Sequence, residues 1–248
     1  MLQNFESLVL IWLGIGFITF ITLLKIPAPY GKFSKTNWGP MIPSKLGWIV
    51  MEIISPLALL YFFLNGNIEK TPTNITFISL WTLHYFNRSV IYPLRQNNPA
   101  QMPLLIAVLA FLFNVMNGYI NGTYFGSIQE YSAEYMSNWN FIVGVCLFII
   151  GAYINIKSDN ILLSLRSKSG EYKIPEGFMF RYVSFPNYLG EILEWMAFAI
   201  MTWSLAGLSF MIWTMANLVP RAIKGHQWYH SKFESYPKNR KAIFPFII

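Results

Sequence analysis

The sequence predicts an all-α, polytopic membrane protein of seven transmembrane helices, and three observations predict it. Only 12% of the 248 residues are charged and 54% are hydrophobic, where a soluble domain carries about 25% charged residues. Apolar runs of about twenty residues, enough to cross a bilayer, recur seven times. The basic residues fall almost entirely in alternate loops between those runs. One compact helical domain over residues 1–248 is expected.

The first run, 7–25, follows Glu6 with no Lys or Arg ahead of it and ends at Lys25. That order places the N-terminus outside and argues against a cleaved signal. Further runs are drawn at 46–65, 73–94, 102–121, 139–157, 188–205 and 207–224, the last two forming a tight hairpin around Gly207. With the N-terminus outside, the loops after the first, third, fifth and seventh runs are internal. Of 18 Lys and Arg residues only Lys70 falls in an external loop, the asymmetry that the positive-inside rule describes. The C-terminus is then cytosolic. The net charge of +7 reads as membrane orientation rather than as a nucleic-acid surface. Nothing in the sequence predicts an obligate protein partner.

Asn187, Glu191 and Glu194 stand inside an apolar stretch at spacing i, i+4, i+7, so a helix carries them on one side. A carboxylate at the bilayer centre costs roughly 2.5 kcal/mol or more. Such groups persist where they face a protein interior or a ligand, or where they hydrogen-bond a neighbouring helix. Other polar groups gather toward the internal side: Tyr30, His84, Tyr85, Asn87, Arg88, Asn155, Asp159, Arg166, Tyr172, Arg181, Arg221, His226 and Tyr229. A basic, aromatic and amide-rich mouth beneath an apolar bundle suits an anionic, ring-containing cofactor, and the apolar interior suits a lipid-like substrate.

Several chemistries are excluded. His226 and His230 are four apart but lack the glutamate of a metalloprotease helix, so no metal site is expected. The sequence contains no P-loop, no nucleophile elbow and no GxGxxG after a strand. Glu52 in the second run and Tyr85 in the third remain. A buried glutamate kept neutral by desolvation, beside a phenol, forms a pair of donors for a carbonyl oxygen on which negative charge develops. Equally, Glu52 can serve only to join two helices while Tyr85 anchors at the interface.

The chain resembles the steroid 5α-reductase family over almost its whole length. The resemblance is carried by Tyr30-Gly31-Lys32, the Glu52 segment, Leu83-His84-Tyr85-Phe86-Asn87-Arg88, Asn155-Ile156-Lys157-Ser158-Asp159, Asn187-Tyr188-Leu189-Gly190-Glu191, Glu194-Trp195 and Arg221-Ala222. The tail from Trp228-Tyr229 through Phe233-Glu234-Ser235-Tyr236-Pro237 to Phe244-Pro245-Phe246 is its most specific part. The resemblance implies NADPH-dependent reduction of the C4–C5 double bond of a 3-oxo-Δ4 steroid, in a seven-helix bundle whose cofactor enters from the cytosol. It implies that Glu52 and Tyr85 bind the 3-oxo group, and that Tyr30, Asn155, Asp159, Arg166, Tyr172, Asn187, Glu191, Arg221 and Tyr229 hold the cofactor. The expected partners are a lipophilic steroid-like substrate and membrane lipids, in a bacterial inner membrane or the endoplasmic reticulum. Gly225 stands where the family carries the first of two histidines, leaving His226. Competing expectations are a reductase of a polyprenal or 2-enoyl thioester, an isoprenylcysteine-type methyltransferase, and a lipid-binding protein without chemistry.

Overall fold

The structure is a computed structural model that describes residues 2–96, 100–165 and 172–248. Its helices are α1 (Leu2–Lys25), α2 (Ser44–Leu64), α3 (Pro72–Phe86), α4 (Tyr92–Leu94), α5 (Leu104–Thr123), α6 (Trp139–Leu165), α7 (Pro186–Thr202) and α8 (Leu205–Lys232). A π-helical turn at Asn87–Ile91 joins α3 to α4 in one run over 72–94, and a second at Tyr124–Ile128 prolongs α5. Helix therefore occupies each of the seven segments expected from the sequence. Among the described residues four helices, Leu2–Lys25, Ser44–Leu64, Leu104–Ile128 and Trp139–Leu165, are long and apolar enough to cross a membrane. Their outward faces carry bare hydrocarbon: Leu10 is 60% exposed and Phe17 66%. Lipid is the natural solvent for such a surface.

Three boundaries differ from expectation. Helix α6 continues to Leu165 and α8 to Lys232, so polar residues that hydropathy assigns to loops lie on helical turns. The α7–α8 hairpin turns at Trp203 and Ser204 rather than around Gly207. Trp203 is left-handed (φ 45°, ψ 45°) and its N–H closes on the Ala199 carbonyl at 3.0 Å. Ser204 then caps α8, its Oγ accepting the Gly207 N–H at 2.9 Å. A helix-ending left-handed residue followed directly by an N-cap reverses the chain in two residues, and Gly207 belongs to the first turn of α8.

The chain divides into two compact units. One comprises the chain up to Val9 together with Ala28–Ile142. Here a short antiparallel pair, β1 (Met41–Pro43) with β2 (Gln101–Pro103), sets the starts of α2 and α5 side by side, in register Met41↔Pro103. Three-residue strands bounded by proline leave no alternation to detect in sequence. Helices α2 and α5 then pack closely: a Cβ on Gly122 would lie 2.6 Å from the Leu59 carbonyl oxygen. Small residues permit such approach, the usual way helices associate in lipid. Phe77, Trp81, Phe125 and Ile120 fill the core beside them. At the start of α3, Thr71 accepts the Asn74 N–H at 3.3 Å and Pro72 occupies the first turn.

The other unit comprises Leu10–Pro27 and Val143–Ile248. Trp213 of α8 donates from Nε1 to the Trp12 carbonyl of α1 at 3.1 Å, their rings 4.6 Å apart. Helices α6 and α7 cross at Gly151 and Gly190. A Cβ on Gly190 would sit 2.7 Å from the Gly151 carbonyl oxygen and 2.5 Å from the Asn155 nitrogen. Beyond α8 the chain returns to the segment ahead of α7. Lys241 donates its N–H to Tyr182 O at 2.9 Å, and Ser184 and Phe185 donate theirs to Lys241 O and Ala242 O at 2.8 and 3.1 Å. Phe185, Ile192, Ala222, Tyr229, Tyr236 and Ile243 are buried together around this junction.

Candidate active site

In the first unit, Tyr85 lies on the last turn of α3 and is buried, its ring stacked on Trp81 at 5.7 Å. Its hydroxyl donates to Asn114 Oδ1 at 3.2 Å, and Asn114 donates from Nδ2 to the Met51 carbonyl at 2.6 Å. Glu52 is the next residue of α2 and is half-buried. Asn114 thus ties Tyr85 to the turn that carries Glu52. Pro56 sits four residues further along α2 and has no N–H for the Glu52 carbonyl. Trp81 is fixed by its own bond to Ser55 Oγ at 3.1 Å. One turn before Glu52, the Trp48 ring carries the Arg88 guanidinium 5.0 Å from its centre, and Tyr92 lies on the same cation at 5.3 Å. Tyr30 meets the edge of Trp48 at 6.1 Å. The π-helical turn that starts at Asn87 sets where Arg88 points relative to Tyr85.

In the second unit, the Gly151–Gly190 crossing brings polar faces of α6 and α7 into contact. Asn155 donates from Nδ2 to the Asn187 backbone carbonyl at 3.0 Å, and Asn187 donates from Nδ2 to Asp159 Oδ1 at 3.0 Å. All three residues are buried. These bonds point the Asn187 amide in one sense and leave its Oδ1 buried with no hydrogen-bond partner among the described residues. Glu191 is half-buried one turn along α7, and Glu194 is 1% exposed. On α8, half-buried Arg221 donates from Nε to Tyr188 Oη at 3.0 Å. Tyr188 in turn stacks on Phe185 at 5.2 Å.

Tyr229 belongs to an aromatic cluster, stacked on Tyr236 at 5.1 Å and 13°. Tyr172 meets the edge of Trp228 at 5.0 Å. Arg166 lies outside the described residues. Of the described residues among those expected from the sequence, Tyr30, Glu52 and Tyr85 lie in the first unit and Asn155, Asp159, Tyr172, Asn187, Glu191, Arg221 and Tyr229 in the second.

A polar knot holds the end of α8. Tyr236 donates to Ser184 Oγ at 2.7 Å, Ser184 donates to Lys241 O at 3.1 Å, and His226 Nδ1 lies 2.6 Å from Ser184 Oγ. With the serine proton on Lys241, His226 donates from Nδ1 and its Nε2 accepts from His230 Nε2 at 3.2 Å. Partial burial, then the positive charges of His230, Arg240 and Lys241, push the His226 pKa down to about 4. Arg240 is buried and donates to Pro175 O at 3.1 Å.

Sequence reasoning did not find Asn114, Tyr188, Ser184 or Arg240. Asn114, Asn117 and Asn121 carried a signal: three amides at i, i+3, i+7 within an apolar run, all buried on one helix face. The others are recognisable only by the contacts that folding creates.

Helices with exposed hydrocarbon faces, packed around buried amide, carboxylate and phenol groups, define a helical membrane protein. Comparison with known proteins gives its family. The family model described as 3-oxo-5-alpha-steroid 4-dehydrogenase matches residues 100–248. A protein named steroid 5-alpha-reductase DET2 from Solanum lycopersicum is 43% identical over 248 residues, covering 98% of this chain and 96% of its own. One named 3-oxo-5-alpha-steroid 4-dehydrogenase 1 from Rattus norvegicus is 37% identical over 94% of this chain and 91% of its own. Its namesake from Homo sapiens is 34% identical over 94% and 92%. The chain belongs to the 3-oxo-5-alpha-steroid 4-dehydrogenase family. This is a family of oxidoreductases, and its chemistry implies a nicotinamide cofactor. The second unit fits such a group: Asn187 Oδ1 is a buried acceptor left over, and a carboxamide N–H is a suitable donor for it.

Proposed function

We propose that this protein is an NADPH-dependent membrane reductase that saturates the C4–C5 double bond of 3-oxo-Δ4 steroids, giving 5α-dihydro products. The observation that carries this reading is the Asn155–Asn187–Asp159 relay, buried and oriented, with one amide oxygen left over for a ligand. Family membership supplies the reaction class.

Asn155, Asp159, Asn187 and Glu191 would hold the nicotinamide and ribose end. Arg221 and Arg166 would meet phosphates, and Tyr30, Tyr172 and Tyr229 would provide flat faces for the remaining rings. A guanidinium suits phosphate because its donors match the oxygens in pairs. A dinucleotide held by these residues would supply the hydride that C5 receives. The electrons of the double bond then move onto the 3-oxo oxygen, and the enolate takes a proton at C4. Glu52, as a neutral acid, and Tyr85 donate hydrogen bonds to that oxygen and stabilise it most when it is most negative. The C4 proton comes from Tyr85 or from a bound water. Seven membrane crossings, with the N-terminus outside and the cofactor residues toward the cytosol, complete the proposal.

Mass spectrometry of products tests it. Detergent-purified protein is incubated with NADPH and progesterone, beside a medium-chain 2-enoyl-CoA control. A 5α-dihydro product that is missing with Glu52→Gln is expected. Reduction of the thioester alone would overturn the substrate, and no product of either kind would overturn the activity.

A further inference from the structure

Asn114 has no part in the residue set that the family resemblance suggests, yet it makes the direct bond to Tyr85. It lies in the middle of an apolar helix and is 3% exposed, where an amide generally has both its ends hydrogen-bonded. Both are. The Met51 carbonyl accepts from Nδ2 at 2.6 Å, which fixes the amide's orientation, since a flipped amide would set two oxygens against each other. Oδ1 must then face Tyr85, and the phenol proton lies along the Tyr85–Asn114 line.

At 3.2 Å this bond is long for O–H···O, whose usual length is about 2.7–2.8 Å. A neutral amide oxygen is also a modest acceptor, whereas an enolate oxygen is a strong, charge-assisted one. We propose that Asn114 is a positioning residue that holds the Tyr85 proton on a weak acceptor, oriented by Met51, and releases it to the substrate oxygen as negative charge builds there. The proposal rests on reading Tyr85 as a keto-binding residue. It makes the tyrosine respond to the transition state more than to the bound ketone, which is how an interaction raises turnover rather than affinity alone. The Met51 peptide also makes the tyrosine and Glu52 one assembly, because any shift of that turn of α2 is felt at both.

The test uses the full chain in detergent with NADPH and a 3-oxo-Δ4 steroid. Asn114→Leu, close in volume but without polar atoms, should lower kcat about tenfold, the worth of one such hydrogen bond, with NADPH affinity unchanged. In a Tyr85→Phe background the same substitution should cost nothing further, because the bond it removes is already gone. Losses that multiply would overturn the proposal and make Asn114 a packing residue. If Tyr85→Phe alone leaves turnover intact, the keto-binding reading of Tyr85 fails first and takes this inference with it. A second variant covers the case where the leucine does not fold. Asn114→Asp, when protonated, keeps a carbonyl for Tyr85 and an O–H for Met51, so kcat should recover toward wild type as pH falls. When ionised, it grips the phenol proton and faces the Met51 oxygen with charge, so turnover should fall. A pH profile parallel to wild type would overturn the proposal.

Discussion

Asn187 donates from its side-chain amide to Asp159 Oδ1 at 3.0 Å, while its own backbone carbonyl accepts from Asn155. One asparagine is thereby gripped at both main chain and side chain by residues a turn apart on the facing helix. Removing the carboxylate should release the amide. Asp159→Ala is expected to weaken NADPH binding about ten- to hundredfold, since hydrogen bonds to charged groups contribute about 1.5–3 kcal/mol. Fluorescence titration of purified protein measures it. An unchanged affinity would remove Asp159 from the site.

The grip depends on how closely α6 and α7 approach. Gly190→Ala would put a methyl group 2.7 Å from the Gly151 carbonyl oxygen, and backbone cannot step aside as a side chain can. Overpacking of this kind costs about 1–3 kcal/mol. The thermal midpoint should fall by several degrees and NADPH affinity should fall with it. Retention of both would mean that the helices separate at no cost.

Arg221 is held by Tyr188 at 3.0 Å. Arg221→Ala should weaken NADPH binding strongly and steepen no other parameter, whereas Tyr188→Phe leaves the cation in place but unanchored and should weaken it only a fewfold. Competition by 2′-phosphoadenosine compounds would show whether the loss lies at the phosphates. Equal losses in the two variants would assign the role to the tyrosine instead.

His226 has a folded pKa of about 4 against an ordinary 6.5. Between these values the unfolded chain binds a proton that the folded one does not, so stability is full above pH 6.5 and is lost as pH falls toward 4. The side chain is partly exposed, and solvent screening keeps the effect small. His226→Gln should flatten the pH dependence of the unfolding midpoint across that window. An identical slope in the variant would assign it to other groups.

Helix positions were legible in the sequence because runs of hydrocarbon declare themselves by length. Their ends were not. Asp159 reads as the close of a span, yet α6 carries it on to Leu165, since hydropathy records where lipid stops and hydrogen bonding decides where the helix stops. The trio Asn187, Glu191 and Glu194 was visible because carboxylates in an apolar run are costly. Asn114 was passed over because an uncharged amide gives a weaker signal and its worth lies in two bonds to distant residues, Tyr85 and Met51. The turn at Trp203 was misplaced for a related reason. Glycine is the usual left-handed residue, and here a tryptophan takes that conformation while Gly207 is used for packing.

The pairing of Tyr182, Ser184 and Phe185 with Lys241 and Ala242 also has a meaning in time. A ribosome completes α6 and α7 long before it reaches residue 241, so the segment that introduces Asn187 waits without its partner while more than fifty residues are added. Until Lys241 and Ala242 emerge, the backbone of Tyr182, Ser184 and Phe185, just ahead of α7, lacks the partners that hold it in the folded chain.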